Sequence, residues 1–190
     1  MAFNVDNLKG ALKFGGTRSS LFEVYLSVPQ YLTQVSELGR FLVRASEIPA
    51  ASVGVVDVTY FGRATRFAGN RTFADWTVTV LNDEDFEIRD ALEAWSNSIN
   101  SFSGNRRAPG VPDNGANSYK ATAIVNQLGK DGSLLRQYEF QGIFPTEVAA
   151  IGLDWGTEGI QEFTTTFTYD QWVVIPQNSA AQTTLGAQQF

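Results

Sequence analysis

The side chains available for chemistry are carboxylates, hydroxyls, lysines and arginines, because the 190-residue chain contains neither histidine nor cysteine. This excludes Ser-His and Cys-His catalysis, as well as zinc sites built from thiolates or imidazoles. Two facing carboxylates can still act as the acid and base of a glycosidase. The densest carboxylates, Asp83, Glu84 and Asp85, directly precede a helical pattern. We therefore expect them to cap a helix and interact with its dipole, and we predict no catalytic residue, metal site or cofactor.

A second candidate site is the pair Asp75-Trp76, which would suit a carbohydrate or catalytic site. Trp76 belongs to the apolar face of an alternating run, with Val78 and Val80 following on the same face. A tryptophan in that position is usually a core residue, and the neighbouring carboxylate is then solvated or caps a backbone group. We therefore expect Trp76 to hold the subunit together rather than to bind a ligand.

The arginines offer a third kind of site, since clustered basic groups can bind phosphate. They lie in two groups, Arg63, Arg66 and Arg71 and the pair Arg106-Arg107. The formal net charge of the chain is −6, which repels nucleic acid at long range. We therefore predict that Arg63, Arg66 and Arg71 make inter-subunit charge contacts with aspartates or glutamates of a neighbouring copy.

Composition places the chain among globular proteins, with 43% hydrophobic and 18% charged residues. The 13% of aromatic residues fits sheet packing or protein–protein contact. The first residues lack a basic region followed by an apolar run, and no apolar stretch approaches the ~18 residues of a membrane span. We expect no signal peptide and no membrane insertion.

Alternating apolar residues predict a mostly antiparallel β organisation. Strands are expected over residues 22–28, 41–46, 52–61, 72–80 and 160–174, with a hairpin formed by 119–128 and 134–141 around the turn 129–132. Residues 64–67 read as a short separate segment, and Phe144-Pro145-Thr146 as a bend. Many short strands with turn signals between them are typical of sandwiches and barrels.

One helix interrupts the strands. Asn82 or Asp83 is its expected cap, and its apolar stripe comprises Ile88, Leu92, Trp95 and Ile99. We expect this stripe and Trp76 to form the core of helix and strand. The predicted fold is mainly β, a partly open antiparallel β-barrel or sandwich with one flanking α-helix.

The domain prediction is a single unit over residues 1–175, with an N-terminal arm of about residues 1–19. Residues 101–118 form a long loop rich in proline and glycine. Residues 176–190 carry no charged side chain and are expected to be a C-terminal extension.

Several separated blocks resemble the tail tube proteins of contractile-tailed (myovirus) phages, a family related to type VI secretion tube proteins. The blocks are GNRTFADWTVTV (69–80) with NDE (82–84), YFGR (60–63), GIFPTEV (142–148), LDW (153–155), IQEF (160–163) and YDQW (169–172). The resemblance covers about residues 15–175, whereas the composition of loop 101–118 and the arm after Pro176 depart from the family.

The resemblance implies a non-enzymatic structural protein. Six copies would form a ring, with the sheets of neighbours joined into one barrel, and rings would stack into the inner tail tube that delivers phage DNA. The implied partners are further copies of the chain, the tail sheath protein, baseplate and tail terminator proteins, and the tape measure protein and DNA in the lumen. The implied location is the virion tail, assembled in the host cytoplasm.

Two surfaces acquire roles from the resemblance. The valine-rich run is either a core strand or, as we prefer, part of a hairpin that packs on the neighbouring ring; its stacking residues would be Val53, Val55, Val56, Val58, Tyr60 and Phe61. The polar face of the last strand lines either the lumen or plain solvent, and comprises Glu162, Thr164, Thr166, Thr168 and Asp170.

Three alternatives remain open at this point. The tube could belong to a contractile secretion system or a bacteriocin, and would then move proteins or ions. The chain could instead be a soluble carbohydrate-binding β-sandwich module, or an acid/base hydrolase with two facing carboxylates.

Overall fold

The structure, a computed structural model, describes residues 9–12, 16–29, 31–32, 42–108, 111, 118–156 and 158–175. The expected C-terminal extension lies outside these residues, and so do parts of the expected N-terminal arm and of loop 101–118.

The described chain is built mainly from antiparallel strands, so the expected fold class is confirmed. The strands are β1 Phe22–Leu26, β2 Val43–Ser46, β3 Ala51–Tyr60, β4 Arg63–Phe73, β5 Trp76–Leu81, β6 Ala121–Leu128, β7 Leu134–Val148, β8 Glu162–Thr168 and β9 Gln171–Ile175. Helix α1, Glu87–Ile99, lies between β5 and β6.

Seven of these strands form one sheet, in the order β1-β6-β7-β8-β5-β2, with β9 also paired to β7. The long strand β7 divides this sheet into two parts. Sheet A comprises β1, β6, the first part of β7 and β9. Sheet B comprises the last part of β7, β8, β5 and β2. The sheets do not close into a barrel. Strands β3 and β4 form a separate two-stranded hairpin.

Sheets A and B meet at a corner, where Gly142 of β7 lies opposite Asp170 between β8 and β9. The pairing of β7 keeps one register through the corner, because Gln141 pairs with Gln171 and Phe144 pairs with Thr168. Gly142 has a φ of 71°, a value that glycine adopts at little cost. Before the corner the buried β7 residues are even-numbered (Phe140), and after it they are odd-numbered (Ile143). The paired strands therefore pass from sheet A into sheet B at the corner, and the two sheets pack against each other.

The core lies between the two sheets and the helix. Trp76 of sheet B stacks on Phe140 of sheet A, with ring centroids 4.6 Å apart and 13° between the planes. The stripe of α1 faces this core: Ile88, Leu92 and Trp95 are buried, and Ile99 is half-buried against them. Each large side chain buried here contributes about 1.5–3 kcal/mol to folding.

The expected helix cap was wrong. Helix α1 begins at Glu87, its N-cap residue is Phe86 with a φ of 55°, and no side chain caps it. Glu84 and Asp85 lie in the preceding turn. Asn82 instead bonds to Gln161, which accepts hydrogen bonds from the Asn82 backbone N–H at 2.9 Å and from its Nδ2 at 2.7 Å. Asn82 therefore bonds to Gln161, which is distant in sequence, and does not cap the helix.

The strand boundaries also differ from expectation. The expected strand over 72–80 is interrupted at Ala74 and Asp75, and residues 64–67 belong with residues up to 73 to the single strand β4. The expected strand over 160–174 is broken at Tyr169-Asp170 by the corner. The bend at Phe144-Pro145-Thr146 lies inside β7, where the register with β8 shifts beyond Pro145.

Candidate assembly surfaces

The β3–β4 hairpin, Ala51–Phe73, lies almost entirely on the outside of the subunit. Its apolar side chains are highly exposed: Val53 47%, Val55 64%, Val56 50%, Val58 48%, Phe67 55%, Tyr60 74% and Phe61 90%. A two-stranded hairpin alone is only marginally stable in water. An apolar surface of this extent marks a protein contact. The structure therefore places all six expected stacking residues on one projecting element.

The tip of the hairpin is a two-residue turn made by Phe61 and Gly62. Both residues have positive φ, 48° and 77°, and such a type I′ turn is usually built from Asn-Gly or Asp-Gly. A side chain as large as phenylalanine is unfavourable in this region of φ. Phe61 also makes an edge contact with Tyr60, with centroids 4.5 Å apart. The backbone of the turn is therefore strained at Phe61, and the turn exposes two aromatic rings.

The two faces of the hairpin differ. Since Val56 pairs with Phe67 and Val58 pairs with Thr65, these side chains and Tyr60 share one mainly apolar face, on which Arg63 lies opposite Tyr60. The opposite face carries the ion pair Asp57–Arg66, with Oδ1 to Nε at 3.4 Å.

A bulge bends the hairpin nearer its base, where Gly54 and Gly69 come close together. A Cβ on Gly69 would lie 3.1 Å from the backbone carbon of Gly54, a close approach that a larger residue could make only if the strands moved slightly.

Arg63, Arg66 and Arg71 all lie on β4 of this hairpin. Arg66 forms an ion pair with Asp57 of its own subunit. The sequence had suggested pairing with a neighbouring subunit and did not indicate this internal contact. Arg107 belongs to a different region and places its guanidinium carbon 5.6 Å from the centre of the Tyr119 ring. The two arginine groups therefore do not form one phosphate site.

Sheet B has a second distinctive surface, the threonine face, which comprises Thr77, Thr79, Thr164, Thr166 and Thr168. Thr77 pairs with Thr166 and Thr79 pairs with Thr164, on the side of β5 and β8 opposite the buried Trp76 and Phe167. Four of the five expected lumen residues thus lie along one face of β8: Glu162, Thr164, Thr166 and Thr168. Thr77 and Thr79 were missed, although their alternation with Trp76 and Val78 is visible in the sequence.

The charged groups beside the threonine face are tied to neighbours. Arg44 in β2 forms a salt bridge with Glu162. Asp170, the fifth expected lumen residue, lies in the corner beyond β8, and both its carboxylate oxygens accept hydrogen bonds from the Lys120 ammonium at 2.6 and 2.7 Å. The face itself therefore presents hydroxyls flanked by a neutralised ion pair.

Sheet B has an edge at each side among the described residues. One edge is β2, which pairs only with β5. The other is the last part of β7, because the pairing of β7 with β6 ends at Ile143, before Phe144–Val148 pairs with β8. Pro145 lies in this segment, and proline is typical of edge strands because it lacks an N–H. Each subunit therefore offers two strand edges that can extend the sheet.

The remaining candidate sites are structural. Trp76 is fully buried, and its Nε1 donates hydrogen bonds to the Ser46 hydroxyl at 3.1 Å and the Glu47 carbonyl at 2.9 Å, so it cannot stack on a sugar. Asp75 accepts a hydrogen bond from the Thr168 hydroxyl at 2.7 Å. No group of side chains suited to a metal ion occurs in the described part of the chain.

Beside Asp75, the Tyr169 hydroxyl donates a hydrogen bond to the Ala74 carbonyl at 2.6 Å. Burial, and secondly the charge of Asp75, raise the pKa of Tyr169 to about 12. In the described residues, no helix is long and apolar enough to cross a membrane.

A polar sheet face with two open strand edges and a projecting apolar hairpin defines a structural protein built to assemble, and comparison with known proteins identifies its kind. The phage tail tube protein family matches residues 17–175, and the chain belongs to this family.

The chain is 36% identical over 171 residues to the tail tube protein gp19 of Enterobacteria phage T4, a match that covers 88% of this chain and 98% of that protein. It is 24% identical over 174 residues to the tail tube protein of Serratia phage KSP90, covering 89% and 96%. The expected resemblance to contractile-phage tail tubes is confirmed, and the carbohydrate-binding alternative receives no support.

Solved structures show the same fold at low sequence identity. The tube terminating cap of the anti-feeding prophage superposes with a TM-score of 0.64 at 14% identity, covering 93% of this chain and 99% of that one. The sheath-tube complex of the extracellular contractile injection system PVC gives 0.60 at 13% identity, covering 92% and 99%. The tail tube fold is therefore common to phage and injection-system proteins.

Proposed function

We propose that six copies of the chain join through the edges of sheet B into a ring, and that rings stack through the β3–β4 hairpin into the inner tube of a phage tail. The observation that carries the proposal is the construction of sheet B. Its core face is buried under α1 and sheet A, its other face is lined with threonines, and among the described residues both its edges are open.

The ring geometry follows from the strand count. Each copy supplies four strands, β2, β5, β8 and the last part of β7, so six copies would give a 24-stranded barrel. With strands ~4.8 Å apart and tilted by ~40°, the backbone diameter is about 50 Å. Side chains would reduce the bore to about 35–40 Å, which admits duplex DNA.

Ring closure joins two different edges. The β2 edge of one copy would pair with the β7 edge of the next, a head-to-tail contact that closes when six repeats complete a turn. The threonine faces would then form the wall of the bore. Hydroxyls and the neutralised pair Arg44–Glu162 give DNA little to bind, and the ring's net charge of about −36 repels it.

The partners follow from this assembly. The outer surface would contact a tail sheath protein, and the tube ends would contact baseplate and tail terminator proteins, as in the contractile systems that share the fold. Tape measure protein and DNA would occupy the bore. The protein would act without catalysis, in the virion tail, after assembly in the bacterial cytoplasm.

Negative-stain microscopy of the purified protein tests the proposal. We expect rings and tubes, with tube growth aided by a baseplate initiator. Val56→Asp places a charge on the apolar face of the hairpin and should leave folded rings that do not stack. Lys130→Asp, a change of charge in the exposed β6–β7 turn, is the matched control and should form tubes. A protein that stays monomeric even with the initiator would contradict ring formation.

A secretion-system or bacteriocin tube is less well supported, because the similarity to injection-system proteins is one of fold at 13–14% identity. The 36% identity is to a phage protein. Genes for capsid proteins beside the gene for this chain would agree with the phage assignment.

A further inference from the structure

Sheet B has two chemically different ends. At one end lie Ser46, Trp76 and Thr168, and the hairpin leaves the subunit here between β2 and β5. At the other end lie Leu81 and Glu162, which pair with each other. The connections from β5 to α1 and from β7 to β8 lie at this second end, and the hydrogen bonds between Asn82 and Gln161 join them.

The two connections at the second end carry large apolar side chains that are exposed in the described part of the subunit. Trp155 is fully exposed (107%), and Leu153 and Ile160, in the same connection between β7 and β8, are 84% and 76% exposed. Phe86 is 41% exposed in the connection that precedes α1. We call these four side chains the receiving surface. Large apolar groups this exposed are typical of a protein contact.

The charges at the two ends are opposite. The hairpin carries three arginines and one aspartate, a net charge of +2. Residues 82–86 and 151–161, around the receiving surface, carry five carboxylates and no lysine or arginine: Asp83, Glu84, Asp85, Asp154 and Glu158. Opposite potentials of this kind fix the register of a contact and reject wrong partners.

Stacking of identical rings in one direction must join unlike ends of the subunit. The hairpin strand β3 has ten residues, so the hairpin reaches roughly 30 Å from its base, enough to cross onto another copy. We propose that the receiving surface of one copy is the docking site for the hairpin of a copy in the adjacent ring, with Tyr60 and Phe61 packed against Trp155 and the arginines facing the carboxylates. This inference rests on the proposed tube assembly and names the surface that receives the hairpin.

Disulfide crosslinking tests the contact, because the chain has no cysteine of its own. Ala64→Cys lies near the hairpin tip, and Gly152→Cys lies beside the receiving surface, where a Cβ meets nothing within 4 Å. We expect oxidised tubes grown from a mixture of the two single variants to contain crosslinked dimers. Each variant alone, and a mixture in which Lys130→Cys replaces Gly152→Cys, should give at least fivefold less dimer.

A substitution that leaves the fold intact provides the second measurement. Trp155→Ser alters a side chain that is fully exposed among the described residues, and it should raise the protein concentration needed for tube growth at least tenfold, with rings still forming. Glu158→Arg should weaken stacking, and adding Arg63→Glu in the same chain should restore it. Tubes that form without the crosslink, or that grow normally with Trp155→Ser, would overturn this inference and leave the tube proposal intact. Absence of rings and tubes from the wild-type protein would overturn both.

Discussion

The carboxylate of Asp170 fills the space beside Gly142, so that a Cβ added to this glycine would clash with the Asp170 Oδ2. Lys120 holds the carboxylate in place through two hydrogen bonds. The corner that joins sheets A and B therefore depends on a residue without a side chain, at a φ of 71°.

We predict that Gly142→Ala destabilises the subunit by at least ~1–2 kcal/mol, because alanine is unfavourable at positive φ and its methyl group displaces the Asp170 carboxylate. The free energy of unfolding in urea measures the effect. Gly152→Ala is the control, since this position has no positive φ and open space around it, and its stability should stay within about 0.5 kcal/mol of wild type. Equal stability of the two variants would contradict the role of the corner.

Phe140→Ala should be among the most destabilising substitutions in the chain. Its ring is fully buried and stacks on Trp76 across the two sheets, and removing it leaves a cavity worth about 3–5 kcal/mol. Chemical unfolding monitored by tryptophan fluorescence gives the value. Phe102→Ala removes the same ring from a site that is 80% exposed and should change the stability little. A loss below ~1.5 kcal/mol for Phe140→Ala would show that the sheets are not joined through this pair.

Phe61→Asn should separate the stability of the subunit from its assembly. Asparagine is favoured in the type I′ turn, so the isolated subunit should be as stable as wild type or more so, by up to ~1 kcal/mol. The variant lacks the aromatic tip, and under the proposed stacking its rings should form tubes only at higher concentration. Thermal unfolding of the subunit and electron microscopy of assemblies measure the two effects. Normal tube growth by Phe61→Asn would show that the tip contributes no contact.

Stability should fall between about pH 10 and pH 12 because of Tyr169. Its pKa is raised to about 12 in the folded protein, against 10.0 ordinarily, so the unfolded chain releases the phenol proton first as the pH rises. The folded state binds more protons in this window, and the free energy of unfolding therefore decreases with pH. Tyr169→Phe lacks this titration, so its decrease between pH 9 and pH 11.5 should be smaller than that of wild type. Parallel curves for the two proteins would contradict the assignment.

Much of the fold could be predicted from the sequence because it is encoded by local periodicity. The alternation around Val78 and Phe163 and the stripe Ile88, Leu92 and Trp95 report which side of each element is buried, and the structure buries those sides. Turn chemistry also acts locally, and the hairpin between β6 and β7 turns at Gly132 as expected, with a φ of 78°.

The start of the helix and the corner between the sheets could not be predicted, because both depend on residues distant in sequence. Asn82 is an ordinary cap candidate until Gln161 is placed beside it. Likewise, nothing local distinguishes a continuous strand over 160–174 from one broken at Asp170, whose position is set by Gly142 and Lys120 of other elements.

The sequence by itself determined the β class, the helix stripe, the exclusion of histidine and cysteine chemistry, and the family resemblance, because composition, periodicity and motif order are properties of the chain. Tertiary structure alone decided which surfaces are left to make contacts. It left Trp155 exposed, and it aligned Thr77 with Thr166 on one sheet face. Exposure and alignment depend on which distant segments pack together, and no single segment carries that information.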